Sequence, residues 1–144
     1  MFETKKKIKE RLIESFGKVK NDSFSFESIE KYFRNKDHTG AFQVLSDKTC
    51  NDLDFNELFM FVDRTTSKVG QQILYNKLRT IPSNGERLVE AEKLVEQISK
   101  DQNMRLKLQL PLDQLAKDST YFITSLFQDE HIKKPKWFFV IPLL

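Results

Sequence analysis

Apolar side chains recur at steps of three and four along most of this sequence, which is the spacing of one face of an α-helix. The first such stripe consists of Ile8, Leu12, Phe16 and Val19. A stripe of this kind stabilises a helix only when another element covers it. The pattern therefore predicts a first amphipathic helix that packs on the rest of the chain.

Two later segments repeat the pattern and carry the signals that begin and end helices. Residues 67–81 have apolar positions at helical spacing, and Pro82 stops that helix. Ser83 and Glu86 form a capping box ahead of a second long helix. Its predicted inward face consists of Leu88, Ala91, Leu94, Val95 and Ile98.

Shorter helices are predicted before residue 67. Ser25 is the expected cap of a helix that turns Ile29, Tyr32 and Phe33 inward and gives way to a loop at residues 37–40. The apolar run at residues 42–45 is too short to assign. Polar residues with capping side chains then predict short turns that lead into a helix over residues 55–62.

The pattern after residue 100 is less regular. Residues 104–110 fit both the alternation of a strand and one helical face, and we favour a helix because the rest of the chain is helical. Pro111 is expected in the first turn of a further segment. The final predicted inward face consists of Phe122, Ile123, Leu126 and Phe127.

Composition supports the same fold class. The chain has 144 residues, which suits one domain, and its four glycines and four prolines are few for a fold built from strands and tight turns. We predict an all-α, multi-helix bundle over residues 1–136.

The basic residues concentrate at the beginning of the chain. The formal net charge is +3, and residues 1–20 hold seven basic against three acidic side chains. A solvated outer helix face explains this excess, and contact with nucleic-acid phosphates is the alternative. The candidate contacts are Lys5, Lys6, Lys7 and Lys9.

The residues that accompany these lysines predict the cellular compartment. No unbroken apolar stretch follows them, because Glu10, Arg11 and Glu14 interrupt the sequence. The chain has one cysteine, Cys50, so it predicts no intramolecular disulfide. We expect a cytoplasmic protein.

Residues 137–144 are eight consecutive apolar side chains, preceded by Lys133, Lys134 and Lys136. Eight residues are too few to cross a bilayer, which takes about 20 residues. Basic residues followed by tryptophan and an apolar run are nevertheless typical of the edge of a membrane-spanning helix. We interpret 137–144 as the start of a truncated apolar segment, with a return into the core as the alternative.

Groups that carry chemistry are scarce. The two histidines, His38 and His131, lie far apart with no ligand-spaced partner, and neither Gly-x-x-x-x-Gly-Lys-Ser/Thr nor Gly-x-Gly-x-x-Gly occurs. Asp52 and Asp54 suit helix starts. We therefore assign no catalytic, cofactor-binding or metal-binding residue and predict that this chain is not itself an enzyme.

Residues 53–79 stand out, with the sequence LDFNELFMFVDRTTSKVGQQILYNKLR. This stretch resembles the core, or lever, domain of MutS-family DNA mismatch-repair ATPases. In that family an apolar helix ends in Asp-x-Thr-x-Thr-x-x-Gly, and a leucine-bearing helix and a proline follow. The residues that carry the resemblance are Asp63, Thr65, Ser67 at the second Thr position, Gly70, Leu74, Leu78 and Pro82.

Physical reasons favour a structural role for this motif. Ser67 can cap the following helix, and Asp63 and Thr65 can accept hydrogen bonds from free amides at the turn. A glycine within a helix costs roughly 1 kcal/mol relative to alanine, so Gly70 is expected where another backbone approaches closely. Lys68 departs from the family, which often has proline there, and either residue suits a first helical position.

The resemblance implies a non-catalytic N-terminal lever fragment of a short MutS-like protein that lacks mismatch recognition. The expected partners are a missing C-terminal ATPase domain that binds ATP and Mg²⁺, a second copy through the parent protein, DNA, and a membrane after residue 136. The alternative is a free-standing helical module that docks on a protein or a membrane.

Overall fold

The computed structural model describes residues 4–83 and 86–128 of the chain, with side chains in the sixth helix described from residue 89 onward. The described part is mostly helical, in agreement with the predicted class. Its α-helices are α1 (Lys5–Ser15), α2 (Phe26–Arg34), α3 (Asp47–Asp52), α4 (Phe55–Val62), α5 (Lys68–Arg79), α6 (Glu86–Lys100), α7 (Gln102–Asp113) and α8 (Ser125–Gln128). A 3-10 helix covers Asp118–Ile123.

A small sheet was not predicted. Strands β1 (Ala41–Val44) and β2 (Thr80–Pro82) pair antiparallel, with Gln43 opposite Ile81. The apolar run at residues 42–45 thus finds its partner almost forty residues later, directly after α5. The predicted helix over 67–81 therefore ends at Arg79, and Pro82 closes an edge strand, where a missing amide costs little.

The core lies where α2 packs along α5, with α4 beside them. Its largest buried side chains include Ile29, Phe33, Phe59 and Tyr75. Phe55 and Phe59 meet the Tyr75 ring edge-on, with ring centroids 5.2 and 5.5 Å apart. Such edge-to-face pairs add about 0.5–1.5 kcal/mol each beyond the burial of apolar area. The prediction that Ile29 and Phe33 face inward is confirmed.

The predicted stripe of α1 is only partly buried. Leu12 is buried, whereas Phe16 and Val19 are 47% and 57% exposed. The helix ends at Ser15, and Gly17 turns the chain at φ +75°, so the last two positions of the stripe lie beyond the helix. The guanidinium of Arg105 lies 3.6 Å from the Phe16 ring centroid and covers that face instead.

The predicted inward face of α6 is also corrected. Leu94 and Val95 are 48% and 62% exposed, and Ala91 is exposed as well. The helix is joined to α7 by one residue, Asp101, and packs mainly on α7. In the described part of the chain, no element covers Ala91, Leu94 or Val95, and the side chain of Leu88 lies outside the described residues.

The region after residue 100 is helical, as favoured, with two differences. Asp101 caps α7 by accepting from the amides of Asn103 and Met104, so the helix starts early and Pro111 lies in its last turn rather than opening a new segment. Phe122, Leu126 and Phe127 were predicted to face inward but are exposed. Residues 137–144 lie outside the described residues, and no helix of the described part is long and apolar enough to span a membrane.

Candidate functional site

The motif that carries the family resemblance lies at the junction between α4 and α5. Asp63 follows the last residue of α4, and its amide donates to the carbonyl of Phe59 at 2.8 Å. Ser67 precedes the first residue of α5. The three residues between them form a turn that donates backbone and side-chain hydrogen bonds to the Asp63 carboxylate.

The carboxylate of Asp63 is completely buried and accepts four hydrogen bonds. The amide and hydroxyl of Thr65 donate to Oδ1 at 2.8 and 2.7 Å. Lys20 Nζ and Gln71 Nε2 both donate to Oδ2 at 2.8 Å. The donors come from the segment after α1, the turn and α5, so one carboxylate joins three parts of the chain.

These donors also set the charge state of Asp63. Burial alone would raise the pKa of this carboxyl. The hydrogen bonds from Lys20, Thr65 and Gln71 outweigh burial and hold the pKa below its ordinary value. The junction therefore contains a buried, ionised carboxylate paired with the ammonium of Lys20.

Ser67 and Gly70 contact each other at the start of α5. The Ser67 hydroxyl accepts from the Gly70 amide at 3.0 Å, which confirms the predicted cap. A Cβ at Gly70 would lie 2.9 Å from Ser67 Oγ and 3.1 Å from Thr65 Cβ. The close approach expected at Gly70 is therefore made by side chains of the preceding turn and not by another backbone.

Two buried glutamines extend the junction to the 3-10 helix. Gln71 accepts a short hydrogen bond from the Tyr121 hydroxyl, and burial raises the pKa of Tyr121 well above its ordinary value, which keeps that hydroxyl protonated. Gln72 donates to the carbonyls of Ser28 and Tyr121 at 2.8 and 3.2 Å and accepts from Thr124 at 3.0 Å. The side of α5 that faces residues 118–128 is thus polar and hydrogen-bonded.

Lys68, the first residue of α5, is buried and makes both a backbone hydrogen bond and ion pairs. It is 5% exposed, and its amide donates to the carbonyl of Leu115 at 2.9 Å, a bond that proline could not make. Its Nζ lies 3.2 Å from an Asp22 oxygen and 3.4 Å from an Asp118 oxygen. The departure from the family pattern is therefore accompanied by contacts that proline could not make.

The remaining predicted residues lie around the junction rather than in it. Leu74 and Leu78 are partly buried against the aromatic core, and Pro82 is exposed opposite Ala41 in the small sheet. The candidate nucleic-acid contacts lie on exposed positions of α1. They are Lys5, Lys6, Lys7 and Lys9.

A cleft of about 710 Å³ separates the end of α1 from the junction. Three of its five basic side chains, Arg11, Lys20 and Lys68, are paired with acidic ones, and Arg64 donates to the backbone carbonyls of Phe61 and Asp63. Nη2 of Arg11 donates to both carboxylate oxygens of Asp113, at 3.0 and 3.2 Å. Lys20 and Lys68 form the ion pairs described above. The Arg11–Asp113 ion pair thus joins α1 to the end of α7 beside this cleft.

Sequence reasoning missed several residues of this network. The segments that Lys20, Gln71 and Tyr121 join are up to fifty residues apart, so no local spacing in the sequence predicts these contacts. Arg79 was missed as well. It is 2% exposed, donates to Leu45 O at 2.7 Å and Asp47 Oδ1 at 2.8 Å, and lies 4.1 Å from the Phe33 ring centroid.

No protein-family model, curated protein or solved structure matches this chain. Among the residues that the structure describes, no group of three or more His, Cys, Asp or Glu side chains is arranged to hold a metal ion. The junction around Asp63 is made of hydrogen bonds that fix segments of the chain to one another.

Proposed function

We propose that this chain is the non-catalytic helical lever portion of a MutS-like ATPase and transmits nucleotide-dependent motion from an ATPase domain encoded after it. The observation that carries the proposal is the buried Asp63 carboxylate with its four donors from three segments. Of the residues that carry the family resemblance, Asp63 and Thr65 lie in this network, and Ser67 and Gly70 lie beside it in the first turn of α5. ATP and Mg²⁺ would bind in the ATPase domain.

A lever must move as one body, and the junction provides the connections for that. Lys20 fixes the segment after α1 to the end of α4, and Gln71 and Tyr121 fix α5 to the 3-10 helix. These bonds lie in a buried environment, where breaking one leaves an unpaired polar group at a cost of about 1–3 kcal/mol. Packed elements joined in this way shift together rather than deform.

The simplest test reads the gene past the codon for Leu144. We expect the reading frame to continue into a segment that contains Gly-x-x-x-x-Gly-Lys-Ser/Thr, the phosphate-binding loop of an ATPase. A stop codon directly after Leu144 would contradict the proposal and favour the free-standing interaction module. Tight, Mg²⁺-dependent binding of ATP by the 144-residue chain alone would contradict it as well.

A second test measures rigidity in the full-length protein. Spin labels at Lys48→Cys and Lys107→Cys, both exposed, report a distance across the body, while Cys50 stays buried. We expect this distance to be the same with and without nucleotide, and the distance from Lys107→Cys to a label in the ATPase domain to change. A change within the body of the same size as the change between domains would exclude a rigid lever.

A further inference from the structure

The segment formed by the 3-10 helix and α8, residues 118–128, has its polar and apolar faces reversed relative to a normal surface helix. Its inward positions are 121, 124, 125 and 128, which repeat at helical spacing. Three of these inward residues hydrogen-bond to the body. Tyr121 and Thr124 bond to the glutamines of α5, and Gln128 Nε2 donates to the carbonyl of Tyr32 at 3.0 Å.

The outward positions of the same segment are large and apolar. Phe122 is 64% exposed, Leu126 is 61% exposed and Phe127 is 86% exposed. Phe127 is the most exposed of the large apolar side chains in the described part of the chain. A surface helix normally turns such residues inward, and grouped exposed apolar residues mark a binding surface.

The sequence directly after this segment indicates which partner suits the surface. Lys133, Lys134 and Lys136 follow Phe127 closely, and Trp137 opens the apolar run. Lys133 is six positions after Phe127, and six residues of chain span at most about 20 Å, so the length of the chain allows Lys133 to reach a surface that Phe127 contacts. Asp129 and Glu130 offset two of the lysines, which leaves a charge of +1 over residues 129–136.

Aromatic and aliphatic side chains beside lysines and a tryptophan match the chemistry of a bilayer interface. Apolar groups enter the boundary between headgroups and acyl chains, while lysines meet anionic headgroups. We propose that the outward face of residues 118–128 inserts into the interface of a bilayer containing anionic lipid. The proposal does not rest on the lever assignment, because it uses neither the motif nor an ATPase domain.

A tryptophan scan tests insertion of this face directly. Trp137 is the only tryptophan in the chain, so Trp137→Phe gives a background without that fluorophore. In this background Phe127→Trp places the reporter on the proposed face, and Phe42→Trp places it on β1, where Phe42 is 75% exposed. Vesicles contain phosphatidylcholine and phosphatidylglycerol in equal parts, with or without brominated acyl chains.

We expect the reporter of Phe127→Trp to shift to shorter wavelength on vesicles and to be quenched by bromolipid, and that of Phe42→Trp to change little. Equal quenching at the two positions would overturn the proposal. So would absence of quenching at position 127 in vesicle-bound protein, or failure to bind these vesicles at all, which would leave a protein partner for the face.

A pair of double variants measures how much the face contributes. Phe122→Ser with Phe127→Ser removes two outward rings, and Phe42→Ser with Phe61→Ser removes two rings exposed elsewhere to a similar degree. We expect the first pair to lower vesicle partitioning at least about tenfold, since each ring inserts apolar area, and the second to change it less than about twofold. Circular dichroism verifies that both variants fold. Equal partitioning of the two variants would assign vesicle binding to residues outside this face.

Discussion

The Nζ atom of Lys20 lies 2.8 Å from Oδ2 of Asp63, so a side chain from the segment after α1 reaches the fully buried carboxylate at the end of α4. The two residues are 43 positions apart in sequence. A buried charge is stable only when it is paired and hydrogen-bonded. Lys20 supplies the pairing charge, and Thr65 and Gln71 supply the other donors.

Asp63→Asn should destabilise the chain by about 3 kcal/mol, because removing one charge of a buried pair leaves the other charge without a partner. We take the lower end of that range because the Lys20 side chain keeps 23% of its surface exposed and is partly solvated. Urea unfolding at neutral pH measures the difference. The control is Asp52→Asn, an exposed position on α3, which should change stability by less than about 0.5 kcal/mol.

The same pair of variants gives a pH signature. Because the pKa of Asp63 is lowered in the folded state, its contribution is present above the unfolded value of about 3.9 and is lost as pH falls through the lower folded value. The difference in unfolding free energy between the wild type and Asp63→Asn should therefore shrink below about pH 4. A difference that stays constant down to strongly acidic pH would show that Asp63 is not ionised in the junction.

Gly70→Ala tests whether glycine is required at the start of α5. Alanine favours a helix by about 1 kcal/mol, but its Cβ would lie 2.9 Å from the capping Ser67 hydroxyl and 3.1 Å from Thr65 Cβ. Because Ser67 cannot move without losing the cap, we expect a net loss of about 1–3 kcal/mol. Thermal or urea unfolding measures it.

Gly40→Ala is the matched control, because a Cβ there meets nothing within 4 Å. It should be neutral or slightly stabilising through the unfolded state. If Gly70→Ala were as stable as Gly40→Ala, the close contact in the first turn of α5 would not constrain the residue at position 70.

How far the sequence predicts this fold depends on the range of the interactions involved. Periodicity found α2 and α5, and the Ser67 cap marked the start of α5, because these signals act within a few residues of each other. Ser25 occupies the N-cap position of α2 but makes no side-chain cap hydrogen bond, so that part of the prediction is wrong. The sheet between β1 and β2 was missed because each strand is three or four residues long and its partner is distant. Periodicity also failed for Phe122 and Phe127. It shows which apolar residues share one face of a helix, but it does not show whether the rest of the chain covers that face.

The residues of the candidate site also divide into those that local patterns predicted and those whose partners are distant in sequence. The motif located the junction and the Ser67 cap, which are local. The buried ion pair to Lys20, the Tyr121 contact and the role of Lys68 needed the structure, because their partners lie 43 or more residues away. Gly70 was predicted to be constrained, but the contact that constrains it comes from two side chains of its own turn.

Arg79→Lys should be costly although it keeps the charge. The planar guanidinium of Arg79 lies over Phe33 and bonds to both Leu45 and Asp47, and an ammonium cannot make this combination of contacts. We expect a loss of about 1–3 kcal/mol in unfolding free energy. Arg34→Lys is the control, since its side chain is 53% exposed and its ion pair to Glu30 is worth less than about 1 kcal/mol. Equal losses for the two variants would assign Arg79 no role beyond its charge.

The basic face of α1 yields a prediction that separates DNA binding from folding. Lys5, Lys6, Lys7 and Lys9 are all exposed, and the ion pair of Lys6 with Glu10 is long at 3.9 Å. Changing the four lysines to glutamine should therefore alter unfolding free energy by less than about 0.5 kcal/mol per substitution. The variant keeps its fold, so any loss of DNA affinity reports lost phosphate contacts.

If these lysines contact phosphates, the affinity for duplex DNA should fall steeply with salt, by about 0.9 in the logarithmic slope per contact. The quadruple variant should then reduce that slope by about 3–4 and weaken binding uniformly across sequences. Fluorescence anisotropy over a salt series measures both quantities. Absence of DNA binding, or binding insensitive to salt and to the four substitutions, would leave the basic residues of α1 as a solvated outer face.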